Sequence, residues 1–307
     1  MKKIRFIANP LSGTNRKRNL PKLIEDNLSH EQFSYELCYT QYAGHAIELA
    51  REAVEAGCFM VVACGGDGSV NEISGQLIGT TTVLGVLPCG SGNGFATHLG
   101  IGRNVEKAIW HLNTGQVIYI DTCRMNEMTF VNLSGIGFDA IVARRIHGSK
   151  VRGLWGYFKF AVEEALKYKM LPVEIDVDGR SFQRTCLLVE VANAPVYGYG
   201  FSIVPPAKLN DGQLELLIVN KAPKWRYLLE GWRFLNASFH KSRLVECYSG
   251  YDIRVTPAHP TAVHVDGEGF DLMGAARFSI RPLSLKVMCP KVYATQLNGE
   301  RTAAMAI

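Results

Sequence analysis

The stretch "VVACGGDGSVNEISGQL", Val61 to Leu77, runs a strand-like apolar segment into two glycines, an aspartate, a third glycine and a helix-like segment. Gly65 and Gly66 allow backbone to approach a bulky ligand and aim amide groups at an anion, and the positive end of the following helix adds to that field. Asp67 is out of place in a bare phosphate cradle. A carboxylate beside phosphates repels them unless it helps hold a metal, accepts a proton or bonds a hydroxyl. The plain alternative is a glycine-rich turn in which Asp67 caps the helix. A second turn of the same design follows one strand later in "GVLPCGSGNGFATHLGI", where Ser91 and Asn93 offer polar contacts and Gly90 and Gly92 leave room for a ligand. "NPLSG", Asn9 to Gly13, is a third candidate, with an ordinary turn as its alternative. Near the other end, "HVDGEGF" sets Asp266 and Glu268 two residues apart, so an extended strand would aim both the same way and a turn at Gly267 would let them diverge. Paired carboxylates suit removal of a proton from an acceptor hydroxyl, although DG is also a strong hairpin signal.

The elements that must position these residues change character along the chain. From Ile4 to Pro88, apolar runs ("IRFIA", "SYELCYT", "FMVVAC", "TVLGVLP") alternate with helix-period segments ("RNLPKLIEDNL", "HAIELAREAVEAG", "NEISGQLI"), the pattern of a parallel sheet covered by helices. Ligands of such an open sheet bind beyond the carboxyl ends of its strands, where the glycine turns lie. After "NVEKAIWHLNTG" the segments read as β-strands joined by turns, interrupted by one helical insert over about Gly153 to Tyr168. The expected fold class is therefore α/β plus β, a Rossmann-like open parallel sheet with helices followed by a β-sandwich-like domain. The expected boundaries are an α/β domain over 1–121, a β-rich domain over 122–288 and a C-terminal segment, 289–307, returning to the first.

Composition narrows the classes. With 307 residues, 47% of them hydrophobic, the chain can bury two moderate cores, and a formal charge of +5 is too mild for a dedicated nucleic-acid binder yet compatible with anionic ligands or an anionic membrane. Eight cysteines without CxxC spacing, several inside apolar runs, suit a reduced cytoplasm. Arg5, Asn9 and Pro10 interrupt any signal-peptide core, and no later apolar run is long enough to span a bilayer, so the expectation is a soluble or peripheral cytoplasmic protein. There is no GxxxxGK[ST] loop, and "GIGFDA", Gly135 to Ala140, fits a dinucleotide pattern without the acid that should follow about twenty residues later. His259 and His264 receive no role.

Four motifs in order, "GGDGSVNE", "LPCGSGNGFA", "PAKLNDGQLEL" and "VHVDGEGF", make the sequence resemble, nearly end to end, the soluble diacylglycerol kinase catalytic family, which includes sphingosine and ceramide kinases. The resemblance implies ATP and Mg²⁺ as cofactors and a lipid hydroxyl as acceptor. It implies an ATP site at the domain interface, with nucleotide contacts from Asn9, Pro10, Leu11, Ser12, Gly13, Thr40, Gly66, Asp67, Gly68, Ser69, Val70, Asn71, Glu72 and Ser91. It places Mg²⁺ on the Asp211 carboxylate with the backbone oxygens of Lys208 and Gln213, an all-oxygen set that suits this ion, and puts Asp121 in a water network joining metal to phosphates. The alternatives are a β-turn at Asn210 to Gly212 and an exposed boundary acid at Asp121. The general base falls in the "DGE" motif, with Glu268 preferred over Asp266, while Asp67 organises the metal and water side of the site.

Ser69 and Ser91 stand where bacterial diacylglycerol kinases commonly carry threonine, and Gly94 stands where they carry aspartate. The loop "GSGN" looks more like the sphingosine kinase version, so the acceptor is left open between diacylglycerol and a sphingoid or related lipid. The insert "KVRGLWGYFKFAVEEALKYKM" mixes Lys150, Arg152 and Lys159 with Trp155, Tyr157, Phe158 and Phe160, which makes it a candidate for peripheral contact with an anionic membrane. Partners are otherwise a lipid substrate and no nucleic acid, with a dimer left open. The rivals are a kinase for a soluble acceptor such as NAD, and a catalytically silent nucleotide or lipid binder.

Overall fold

The computed structural model describes residues 1–10, 19–147, 149, 154–197, 201–202, 204, 207–230, 232–236 and 238–297. The chain divides into two compact units, Met1–Asp121 with Pro282–Ile307, and Thr122–Arg281.

The first unit carries β1 (Lys2–Ala8), α1 (Leu20–Asn27), β2 (Phe33–Tyr39), α2 (His45–Glu55), β3 (Met60–Gly65), α3 (Asp67–Leu77), β4 (Val83–Pro88), α4 (Gly94–His98), α5 (Val105–Thr114) and the start of β5 (Gln116–Met125). Its strands pair in parallel in the order β2, β1, β3, β4, and Val287 joins parallel to Leu84. β3 and β4 are buried along their whole length, as a parallel sheet covered on both faces requires, which is why they read as unbroken apolar runs. The helices lay narrow apolar stripes on this sheet. α2 buries Ala46, Ala50 and Ala53, while α5 buries Val105, Ala108, Ile109 and Leu112 behind an Asn104 cap that accepts the Lys107 N–H at 2.9 Å. The register sets Tyr39 beside Ala8, Ala8 beside Cys64 and Gly65 beside Pro88. Four strands therefore end along one edge, and the segments opening with Asn9, Thr40, Gly66 and Cys89 all leave from it.

The second unit takes up the end of β5 and carries β6 (Met128–Phe130), β7 (Leu133–Gly137), α6 (Phe138–His147), α7 (Leu154–Lys167), β8 (Leu171–Val177), β9 (Arg180–Ala192), β10 (Val196–Tyr197), β11 (Phe201–Ser202), β12 (Leu214–Asn220), α8 (Lys224–Glu230), α9 (Trp232–Leu235), β13 (Val245–Gly250), β14 (Asp252–Pro257), β15 (Thr261–Val265), β16 (Glu268–Leu272) and the first half of β17 (Ala276–Cys289). Its pairings are antiparallel, and the long β9 pairs with β7, β8 and β12. Period-two patterning is plain in β8, where Leu171, Val173, Ile175 and Val177 turn inward to a core shared with Phe130, Val189, Val191, Ile253 and Phe278. This is the β-sandwich-like half.

The return to the first unit begins at Pro282, earlier than the 289 expected from sequence. β17 is one uninterrupted strand, so its composition carries no break to mark the crossing. The helical segment 291–297 follows it.

Candidate active site

The edge of the first unit encloses a cavity of about 620 Å³, lined by Asn9, Pro10, Thr40, Ser69 and Glu72 together with Ile7, Ile73 and the turn from Gln41 to Gly44. That volume lies in the range of small-molecule sites. Five residues expected to touch a nucleotide thus share one wall, and the Tyr42–Gly44 turn is an addition that sequence reasoning missed. Its signal was the "YAGH" run between β2 and α2, in which Gly44 adopts φ 82° at the helix cap. Leu11, Ser12 and Gly13 lie outside the described residues.

The two glycine turns touch backbone to backbone. A Cβ on Gly90 would lie 2.4 Å from Gly66 Cα and 2.7 Å from Gly66 N, so Gly90 is required by close approach. The Cys89 and Gly90 N–H groups both donate to Gly65 O at 3.1 Å, and Asn93, itself at φ 52°, closes its loop by accepting the Gly90 N–H at 3.0 Å and donating to Gly90 O at 2.8 Å. Asp67 has a different occupation from the metal-and-water role expected of it. Its two carboxylate oxygens accept the N–H groups of Gly94 at 2.9 Å and Phe95 at 3.0 Å, the opening amides of α4. Desolvation pushes this carboxyl above the ordinary range, and the two N–H donors work against that shift. Asp67 therefore staples the first glycine turn to the helix that follows the second. Gly66, Gly68, Val70 and Asn71 belong to the first turn and α3, and Ser91 is exposed on the second loop, but none of these five lines the cavity.

Asp121 is fully buried, so it is not an exposed boundary acid. It accepts the Leu283 N–H at 2.7 Å, holding a residue whose φ is 48°.

In the second unit, Asp266 at φ 46° and Gly267 at φ 89° form the turn between β15 and β16, so the hairpin reading of "DG" also holds. The Asp266 carboxylate accepts the N–H groups of Val131, Asn132 and Leu133, each at 3.0 Å, which ties the β6–β7 connection to the hairpin. Glu268 is exposed at the first position of β16. The two acids therefore differ in availability: one is bound into the fold, the other faces solvent.

Asp211 sits in the turn before β12, where Gly212 has φ 73° and the Gln213 N–H donates to Asp211 Oδ1 at 3.1 Å. Desolvation raises its carboxyl, and the Gln213 N–H and the Lys208 charge do not cancel the effect. Buried Glu215 also has a raised carboxyl, first through burial and in part through Asp211, and accepts the Ser249 hydroxyl at 2.8 and 2.9 Å.

His264 went unassigned, yet it sits fully buried in a cluster with Asp139 and Glu190. Register explains the cluster: Gly135 on β7 pairs with His264 on one side and Glu190 on the other, and Asp139 comes from the first turn of α6. A Cβ on Gly135 would lie 2.5 to 2.6 Å from the imidazole Nε2 and both Glu190 oxygens, so the missing side chain makes room for the pair. His264 Nε2 bonds Asp139 Oδ2 at 2.5 Å and lies 3.7 Å from Glu190 Oε2. Burial works to lower the His264 pKa, but the two acids override it and push it up to about 10. Burial and the Asp139 charge raise Glu190 well above the carboxylate range, while for Asp139 the His264 cation overrides burial and holds the carboxyl low. These directions favour an ionised Asp139, a cationic His264 and a protonated Glu190, a set without net charge.

A model of the diacylglycerol kinase catalytic domain matches residues 3–125, and a model of the YegS C-terminal NAD kinase beta sandwich-like domain matches residues 133–289. The chain is 29% identical over 307 residues to a diacylglycerol kinase of Bacillus subtilis, covering 97% of this chain and 100% of the relative. Its structure is similar to that of a diacylglycerol kinase from Bacillus anthracis, with a TM-score of 0.72 at 18% identity over 95% of this chain and 98% of that one. It is more distantly similar to an NAD kinase from Archaeoglobus fulgidus in complex with ATP, with a TM-score of 0.53 at 15% identity over 97% and 98% of the two chains. At such identities the two structures speak for the fold.

Proposed function

Because the chain belongs to the family that joins a diacylglycerol kinase catalytic domain to a YegS-type C-terminal domain, we propose that it transfers the γ-phosphate of ATP to a hydroxyl of diacylglycerol or a sphingoid or related lipid, with Mg²⁺ as its metal. The observation that carries this reading is the cavity at the strand edge, where Asn9, Thr40, Ser69 and Glu72 meet beside the glycine turns. In it, Asn9, Thr40 and Ser69 bond the nucleotide, and the amides at the start of α3 face its phosphates. Asp67 acts one step back, holding the two turns in register through Gly94 and Phe95.

The Asp211 turn suits Mg²⁺. Its donors are oxygens, and its carboxyl is pushed up by desolvation, a shift that a bound cation would oppose. Asp211 with the Lys208 and Gln213 carbonyls would hold the ion, which when bound offsets the charge of the phosphates. Glu268, exposed on its hairpin, takes the proton of the acceptor hydroxyl, while Asp266 positions it by anchoring the turn. The eight cysteines are all free, which suits work in a reducing cytoplasm.

The second reading, phosphorylation of a soluble acceptor such as NAD, draws on the likeness to the NAD kinase fold. Incubating the purified protein with labelled ATP, Mg²⁺, a panel of detergent-dispersed lipids and NAD separates the two. Label in the organic phase supports the lipid reading, and label in NADP with none in lipid overturns it.

A further inference from the structure

We propose that residues 221–230, 232–236 and 238–243 of the second unit form the surface by which this protein docks on an anionic lipid bilayer, a proposal that rests on the lipid-acceptor reading for its purpose but not for its chemistry. β12 ends at Asn220, and Tyr227 anchors α8 by donating its hydroxyl to Asn220 O at 2.7 Å and accepting the Ala222 N–H at 2.8 Å. Tyr227 also packs against the apolar cluster of Leu133, Ala192 and Val219. At about 100° per residue, Trp225 and Leu229 both point away from that anchor and share a face with each other. An anchored surface helix should turn polar groups outward, yet Trp225 is 56% exposed, Leu229 63% and Trp232, opening α9, 55%.

Charge supplies the occupant. This stretch holds Lys221, Lys224, Arg226, Arg233, Lys241 and Arg243 against the single acid Glu230, a net +5 that equals the formal charge of the whole chain, so the rest of the protein cancels to zero. It also holds two of the four tryptophans. Glu230 is spent on Arg233. The Arg226 guanidinium lies 5.6 Å from the Trp225 ring centre and that of Arg233 lies 5.0 Å from the Trp232 ring centre, so cation and indole present themselves together. Exposed indoles beside basic side chains match the boundary between acyl chains and anionic headgroups, where the ring enters the interface and the cation reaches phosphate. A second copy of the chain fits poorly, because a two-fold contact through this patch would set like charges face to face. Of the insert that the sequence marks as a candidate for membrane contact, Phe160 is buried, and the side chains of Trp155, Tyr157 and Phe158 lie outside those described.

The test is co-sedimentation without ATP, using phosphatidylcholine vesicles with and without phosphatidylglycerol. The protein should partition onto the anionic vesicles, leave them as salt is raised, and show Trp emission quenched by brominated lipid. Lys224→Glu with Arg226→Glu should weaken partitioning by roughly thirtyfold or more, the effect of two basic residues near an anionic surface. Trp225→Ser with Leu229→Ser and Trp232→Ser should remove the quenching. Both variants should melt as the parent does and keep its turnover on lipid dispersed in detergent micelles, so loss of turnover in the parent would fail the kinase reading and leave the docking result standing. Equal partitioning of parent and both variants would overturn the proposal, as would a dimer in solution that the variants dissolve while no vesicle binding is seen.

Discussion

Asp67 in the first unit and Asp139 in the second are both carboxylates taken out of water, and they are made tolerable in different ways. Asp67 is met by two backbone N–H groups, which do not titrate between acid and alkaline pH, so its partners make a fixed link between two turns. Asp139 is met by a histidine cation and a protonated glutamic acid, so its compensation depends on pH. The first solution suits a loop that must keep its shape around a charged ligand. The second suits a strand and helix junction beside the β15–β16 turn, since His264 lies two residues before Asp266 and four before Glu268.

That contrast is easiest to break at Asp139. Asp139→Asn leaves the His264 cation buried without its main partner and should cost about 3–5 kcal/mol in urea unfolding. A cost no larger than that of Asp67→Asn would erase the distinction. Asp67→Asn keeps one acceptor oxygen but turns an NH₂ group toward an amide, so it should cost about 1–3 kcal/mol while lowering ATP affinity through the displaced turns. Calorimetric titration with ATP reads the second effect, and unchanged affinity would confine Asp67 to stability.

The pH dependence is a finer probe. His264 is raised from 6.5 to about 10, so between those values the folded chain keeps a proton the unfolded chain releases. Stability from this group is full below about 6.5 and is lost as pH climbs through 10. Raised Glu190 acts with the same sign from 4.5 upward, whereas lowered Asp139 acts with the opposite sign below 3.8. Unfolding midpoints should therefore fall from pH 7 to pH 10, and His264→Gln should flatten the slope. The smallest effect belongs to Glu190→Gln, which preserves the shape and a donor of the neutral acid and should change stability by no more than about 1 kcal/mol. A larger loss would mean that Glu190 is ionised.

Much of the first unit was legible because glycine, proline and apolar runs act locally, so Gly65–Gly66 and Pro88–Gly90 announced turns at strand ends. The partner of Asp67 was not legible, since Gly94 and Phe95 meet it only after β4 is laid beside β3. The cluster in the second unit was hidden for a similar reason. His264 and Glu190 lie in separate strands and become neighbours only across Gly135, although a lone glutamate inside "LLVEVAN" was a signal that something must compensate it. The seven and four residues of α8 and α9 are too short to impose a helical period, so the pattern gave no warning of the face that Trp225 and Leu229 share.

The proposed division of labour between nucleotide-holding turns and a proton-accepting hairpin is tested most directly on Glu268→Gln. Turnover on a detergent-dispersed lipid substrate and ATP affinity should be measured on the same preparation. The expected result is turnover lowered by at least about a hundredfold, the usual scale for a general base, with ATP affinity held within a small factor of the parent. Undiminished turnover, or affinity lost in step with it, would contradict the assignment.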